Sequence, residues 1–238
     1  ALALGSIGRV DDAVAFVRST MTVDGIANSP MGQPAMYEYR YADPLSGEYG
    51  KIDKPSFLWA GGFYLRTLYS LFGLKDNEWN VSFNGSLPKT AKNVAYTVAF
   101  ETLKHITLDE NEATPFSLMV DGITLPTSVL PMSAVNGNRI IVNLKGSRSL
   151  SLKSVNAILR SVHPSENGVL ECELLSFEGH KVLAFLTSPD EIKEVLVDGT
   201  RLSGVEAKTR RDGMYEYEVQ FIGAAAAQHV RVVGGGSR

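Results

Sequence analysis

The sequence predicts an α+β chain in which a short helical part comes first and an antiparallel β-sandwich follows. Two observations carry this. Apolar residues recur at helical spacing only up to about residue 72, and from about residue 77 they alternate with polar ones. The alternating runs are separated by Asn84-Gly85, Asp121-Gly122, Asn136-Gly137, Asn167-Gly168, Asp198-Gly199 and Asp212-Gly213, pairs of the kind that close tight hairpins. Short strands punctuated this way pack as antiparallel sheets. The expected domains are residues 1–76, helical, and 77–238, β, with a softer boundary near 150.

Residues 8–21 read as an amphipathic helix. Val10, Ala13, Val14, Val17 and Met21 share one face, and Asp11 and Asp12 sit in the first turn, where the helix dipole favours them. Residues 22–55 read as a long irregular loop broken by Pro30, Pro34, Pro44 and Pro55. Its tyrosines argue against disorder. Ser56 is the expected N-cap of a helix over 57–72, and Gly73 its stop. That helix is apolar nearly all round, so it needs cover on every side, and a partner chain or a second copy is expected over it. The strands follow as WNVSF, NVAYTVAFETLKHITLDEN, FSLMV, RIIVNLKG, SLSLKSVNAILRSV, GVLECELLSF, HKVLAFLTS, EIKEVLVDG, GMYEYEVQFIG and QHVRVVG. The charged stretch 106–114 reads as an exposed hairpin end.

Composition narrows the function. Of 238 residues 44% are hydrophobic and 21% charged, with net charge −3, so neither nucleic acid nor an anionic membrane is an expected partner. No apolar run approaches the roughly 18 residues of a membrane-spanning helix. The single cysteine, Cys172, alternates with Glu171 and Glu173 and reads as a core thiol. Absence of disulfides fits a cytoplasmic protein. The start, ALALGSIGR, has no basic n-region and does not read as a signal peptide; it reads as a chain entered partway through a helix. His105, His163, His180 and His229 show no metal-ligand spacing, so no metal and no cofactor are expected.

The stretch 36–62 carries a family resemblance. Met36-Tyr37-Glu38-Tyr39 precedes a helix opening as Ser56, Phe57, Trp59 and Gly62, or Gly61 with a one-residue shift. This resembles the C-terminal end of (α/α)6-toroid glycosidases and disaccharide phosphorylases, of the cellobiose-phosphorylase type and more distantly the glucoamylase type. The resemblance implies that residues 1–76 are terminal helices of an (α/α) toroid, with the sandwich behind them. It also implies that Glu38 is a general base. The phosphorylases hold phosphate with a hydroxyl residue beside the glycine; this chain has Ala60 there, so hydrolysis fits better than phosphorolysis.

An inverting glycosidase needs two carboxyl groups about 6.5–9.5 Å apart. The chain offers one of them, and the general acid must come from another part or chain. The expected function is thus a portion or subunit of a carbohydrate-active enzyme acting on an oligosaccharide or polysaccharide such as a glucan. Glu38 is the catalytic candidate, with Glu48 and Asp43 in reserve; pairing with Arg40 is its plain structural alternative. Tyr37, Tyr39, Tyr41, Trp59, Gly61 and Gly62 are the substrate-binding candidates. Aromatic rings stack on the C–H faces of sugars, while for Trp59 and Tyr64 packing between helices competes with that role. Gly61-Gly62 serves close helix packing or backbone approach to a ligand. Two other classes stay open: a non-catalytic carbohydrate-binding or structural module, and a fragment of a polysaccharide lyase.

Overall fold

The structure is a computed structural model. It describes residues 3–4, 9–20, 39–41, 43–53, 58–71, 73–76, 79–83, 95–99, 103–109, 117–143, 149–163, 168–211 and 213–235. The chain forms two compact units, Ala1–Leu74 with Gly85–Lys92, and Lys75–Asn84 with Asn93–Arg238.

In the first unit, α1 (Val10–Thr20) follows its apolar spacing. Val10, Ala13 and Val17 are buried and meet Leu71, with Leu4 and Val14 at the margin. Asp11 and Asp12 occupy the first turn and Arg18 the last, complementing the helix dipole. The stretch read as irregular loop is partly ordered as a hairpin. In it β1 (Tyr39–Arg40) pairs with β2 (Ile52–Asp53), Tyr39 opposite Asp53 and Arg40 opposite Ile52. The helix α2 (Leu58–Leu71) ends at Gly73, whose φ of +78° suits glycine alone among common residues. Thr67 Oγ1 donates to the Phe63 carbonyl at 2.8 Å and Ser70 Oγ to that of Thr67 at 2.8 Å, so these hydroxyls are satisfied within the helix.

The second unit is built of strands. First come β3 (Leu74–Asp76) and β4 (Val81–Phe83), paired with one another. Then β5 (Ala95–Ala99), β6 (Leu103–Asp109), β7 (Ser117–Val120), β8 (Ile123–Leu125) and β9 (Arg139–Asn143) make a five-stranded sheet in the order β5-β6-β9-β7-β8. The run read as one long strand over 93–111 is the β5–β6 antiparallel pair. Asp121 (φ +47°) and Gly122 (φ +90°) form the β7–β8 turn. The Asp121 carboxylate accepts the Asn138 and Arg139 N–H groups, the latter at 2.8 Å, and fixes the chain entering β9.

The remaining strands are β10 (Ser151–Val155), β11 (Ile158–Val162), β12 (Val169–Leu175), β13 (Lys181–Ser188), β14 (Ile192–Val197), β15 (Thr200–Arg201), β16 (Ala207–Arg211), β17 (Met214–Ile222) and β18 (Gln228–Gly234). They form two antiparallel sheets, β10-β13-β17-β16 and β11-β12-β18-β14-β15. The chain passes from one sheet to the other five times, at Asn156-Ala157 and at residues 176–180, 189–191, 202–206 and 223–227. Each sheet buries one face: Val182, Ala184, Leu186, Tyr217, Val219 and Phe221 from the first, Leu170, Cys172, Leu174, Val195, Val230 and Val232 from the second. The layers touch where the Ile192 N–H donates to Tyr217 Oη at 2.9 Å.

The segment 126–130 joins this pair of sheets to β4. It accepts the Phe83 N–H on the Ser128 carbonyl at 2.6 Å and donates the Leu130 N–H to Val81 at 2.8 Å. On its other side the Leu152 N–H donates to the Pro126 carbonyl at 3.0 Å. Thr127 and Ser128 are fully buried, and their hydroxyls donate to the Leu152 and Lys153 carbonyls. Burial here is tolerated because each hydroxyl has its partner.

Two expectations are corrected. The described residues are 51% strand, and α1 and α2 add helices of 11 and 14 residues. The chain is therefore β-rich, and the reading as α+β, with terminal helices of an (α/α) toroid followed by an antiparallel β-sandwich, is overturned. An apolar helix does not by itself specify helical neighbours. In α2 Thr67 and Leu71 are buried, while Phe63, Leu65 and Tyr69 are 54%, 51% and 43% exposed. Nor are all the sheets antiparallel, because β6 and β9 run parallel, His105 opposite Arg139 through Asp109 opposite Asn143. The β7–β8 hairpin lies between them in sequence and turns the chain back into that register.

Candidate functional site

Glu38 and Tyr37 lie outside the described residues. Tyr39 follows directly in β1, and its backbone is held opposite Asp53. Beyond β1 the hairpin closes through a chain of local bonds. The Tyr41 N–H donates to the Lys51 carbonyl at 3.0 Å, and the Gly50 N–H to that of Tyr41 at 2.8 Å. Asp43 Oδ1 accepts the Leu45 N–H at 2.9 Å, and Glu48 pairs with Lys51 at 2.6 Å. The two reserve carboxylates are thus engaged in the turn itself, both exposed to solvent. Tyr41 and Tyr49 are exposed on the same loop.

Trp59 and Gly61 belong to α2, where the backbone alone is described. Gly62 is exposed, and a Cβ built on it meets nothing within 4 Å among the described residues. The glycine therefore leaves an opening on the helix rather than a tight helix contact. The structure brings Tyr39, Arg40 and Tyr41 together in the hairpin and places Trp59, Gly61 and Gly62 on the first turns of α2.

Two further constellations, both in the second unit, escaped the sequence reading. In the first, Trp79, Phe177 and His180 form an aromatic cluster. Trp79 lies 5.0 Å from His180 and 6.0 Å from Phe177 between ring centroids, and Phe177 and His180 are 4.6 Å apart. His180 Nε2 is 2.9 Å from the Asn156 carbonyl, and Phe177 is 57% exposed. Phe177 and His180 share one turn, but Trp79 comes from about a hundred positions earlier, so no local motif announced the cluster.

The second is the outer face of the β10-β13-β17-β16 sheet. Alternation turns Lys181, Leu183, Phe185 and Thr187 of β13 outward, and Glu216, Glu218, Gln220 and Ile222 of β17. Phe185 is 41% exposed and stands between Ser154 and Glu218 on the neighbouring strands. Around it runs a set of polar contacts. Lys208 and Gln220 both hydrogen-bond the Glu218 carboxylate. Thr209 Oγ1 donates to Glu216 at 2.7 Å, and Ser151 and Thr187 share a hydrogen bond of 3.0 Å.

Electrostatics follows from these contacts. The Lys208 and Gln220 hydrogen bonds hold the Glu218 carboxyl below the usual carboxylate range. Burial pushes Lys153, in the bulge of β10, down to about 8, and the Glu216 carboxylate partly offsets this. Burial pushes the Cys172 thiol up to about 12, so it is no nucleophile. Among the described residues no group of His, Cys, Asp and Glu could hold a metal ion. A depression of about 200 Å³ beside β14 and β15 is lined in part by Arg201, which donates to the Lys193 carbonyl at 3.2 Å and lies 3.7 Å from Glu194.

Comparison with known proteins gives no match, whether to a family model, a curated protein or a solved structure.

Proposed function

We propose that this chain is a portion or subunit of a carbohydrate-active enzyme that hydrolyses glycosidic bonds of an oligosaccharide or glucan with inversion. Glu38 is its general base, and the general acid comes from another part of the protein or another chain. The observation that carries the reading is the presence, in one compact unit, of the tyrosine-bearing hairpin and an apolar helix with large apolar side chains left half exposed. Glu38 immediately precedes β1, whose two residues are fixed by their pairing with β2. Tyr41 and Tyr49 add exposed aromatic surface on the hairpin that follows Glu38 in the chain. Leu65 and Tyr69, four positions apart, share one exposed face of α2 and Phe63 is exposed on another, apolar surface of the kind that further polypeptide covers.

In this reading Glu38 takes a proton from a water held beneath the anomeric carbon as that water attacks, and the partner's acid protonates the leaving oxygen. Native mass spectrometry of the purified protein is the first test. A stable monomer of this chain with α2 uncovered would remove the ground for a partner. The second is Glu38→Gln in the assembled enzyme. Turnover should fall by about 10²–10⁴, the usual contribution of general acid–base catalysis, with substrate binding retained. Unchanged turnover would end the assignment.

A further inference from the structure

We propose that the outer face of the β10-β13-β17-β16 sheet is a binding site for a neutral oligosaccharide, with Phe185 as the platform on which one sugar ring lies. The ligand class rests on the carbohydrate reading above; the site itself is independent of Glu38.

Phe185 is the centre of a small lattice. Ser154 and Glu218 flank it across the strands, and Glu216 and Gln220 occupy the diagonals. Directly opposed side chains on a sheet stand about 5 Å apart and diagonal ones about 7–8 Å. A sugar ring resting on Phe185 therefore brings its rim hydroxyls over the diagonal carboxylate and amide. The C–H face of the sugar packs on the ring, which is the contact aromatic side chains make best with an amphipathic ligand. Glu216 is exposed, accepts from Thr209 and lies in the field of Lys153; a carboxylate has two oxygens and several lone pairs, so acceptor capacity is left. Gln220 is steadied by its bond to Glu218 and Glu218 by Lys208. Groups locked in advance lose less entropy when a ligand arrives.

The charge pattern selects the ligand. Glu216 and Glu218 stand among Lys153, Lys181 and Lys208, a mixture of both signs close to balance, which favours an uncharged ligand over a strongly charged one. A protein partner fits poorly, because the centres of protein interfaces are depleted of charged residues. The exposed large apolar side chains of this face are Phe185 and Ile222, two rows apart. The Trp79–Phe177–His180 cluster, where Phe177 is the more exposed ring, is the rival platform, and substitution of Phe177 separates the two.

The test is calorimetric titration of the whole chain with maltohexaose, cellohexaose, xylohexaose and hexagalacturonate. At least one neutral hexasaccharide should bind. Phe185→Ala should weaken it about tenfold or more, which corresponds to about 1.4 kcal/mol, and Phe177→Ala should leave it within about twofold. Gln220→Ala, at an exposed position, should weaken binding as well, and it serves if Phe185→Ala alters the circular dichroism of the fold. Binding that survives both Phe185→Ala and Gln220→Ala overturns the site while leaving the carbohydrate reading intact. Binding of hexagalacturonate alone overturns the neutral-ligand assignment. Failure of all four sugars to bind overturns the proposal outright, and hydrolysis sensitive to Glu38→Gln then decides the carbohydrate reading separately.

Discussion

Asn80 is the side chain whose loss should be felt most widely for its size. It is buried, and its amide donates to the Ala157 carbonyl at 2.8 Å and the Val155 carbonyl at 3.3 Å, while Oδ1 accepts the Leu159 N–H at 2.9 Å. Because β11 lies at the edge of its sheet, the outward Leu159 N–H has no neighbouring strand on that side, and Asn80 serves in place of one. Asn80→Ala strands that N–H and the Ala157 carbonyl. A buried polar group left unmade costs about 1–3 kcal/mol, so the expected loss is about 2–4 kcal/mol. With a urea m-value of about 2 kcal/mol/M, the unfolding midpoint should fall by about 1–2 M at constant m. Asn80→Asp should do no better at neutral pH, since it sets a carboxylate against two carbonyl oxygens. A shift below about 0.3 M for Asn80→Ala would refute the argument, because it would mean that water or backbone movement replaces all three bonds.

The pH dependence of Lys153 offers a second check. Its folded pKa of about 8 lies below the ordinary 10.5, so between those values the unfolded chain binds more protons. Stability should therefore rise from about pH 8 to pH 10.5, and Lys153→Met should flatten that rise in denaturation curves taken across the window. Cys172, buried with its thiol pushed up to about 12, should resist a disulfide reagent at pH 8 in the folded chain and react at once in denaturant; rapid modification of folded protein would contradict its placement. At Gly223 a Cβ would stand 2.9 Å from the Phe177 carbonyl and 3.0 Å from Ser176 Oγ. Gly223→Ala should cost about 1–3 kcal/mol and disturb the near-ultraviolet dichroism of the Trp79–Phe177–His180 cluster, whereas an unchanged spectrum and midpoint would show that the turn gives way freely.

Local elements were legible in the chain because their signals are local. The spacing of Val10, Ala13 and Val17 placed α1 and its buried face, and the alternation in Val169–Leu175 placed Cys172 in the core. Asp121-Gly122 and Asp198-Gly199 are turns as their φ values require. Pairing was less legible. Period two tells which side chains share a face but not which strand lies alongside, so the parallel β6–β9 pair left no trace in the sequence. The apolar composition of 57–72 pointed to an enclosed helix, yet composition does not count neighbours, and Phe63 and Leu65 stand half exposed. Of the site, the stretch at 37–38 lies outside the described residues. The lattice around Phe185 arises only when Ser154, Phe185 and Glu218 are set side by side from three strands. Single-strand alternation gave each residue its direction without its company.

The segment 126–130 has a mechanical meaning. It is hydrogen-bonded to Val81 and Phe83 along one edge and to Leu152 and Lys153 along the other, so stretches some seventy positions apart in the chain share one fastening. A load applied to the first five-stranded sheet reaches β10 through several short bonds strained together rather than opened one after another. Such a seam yields late and all at once.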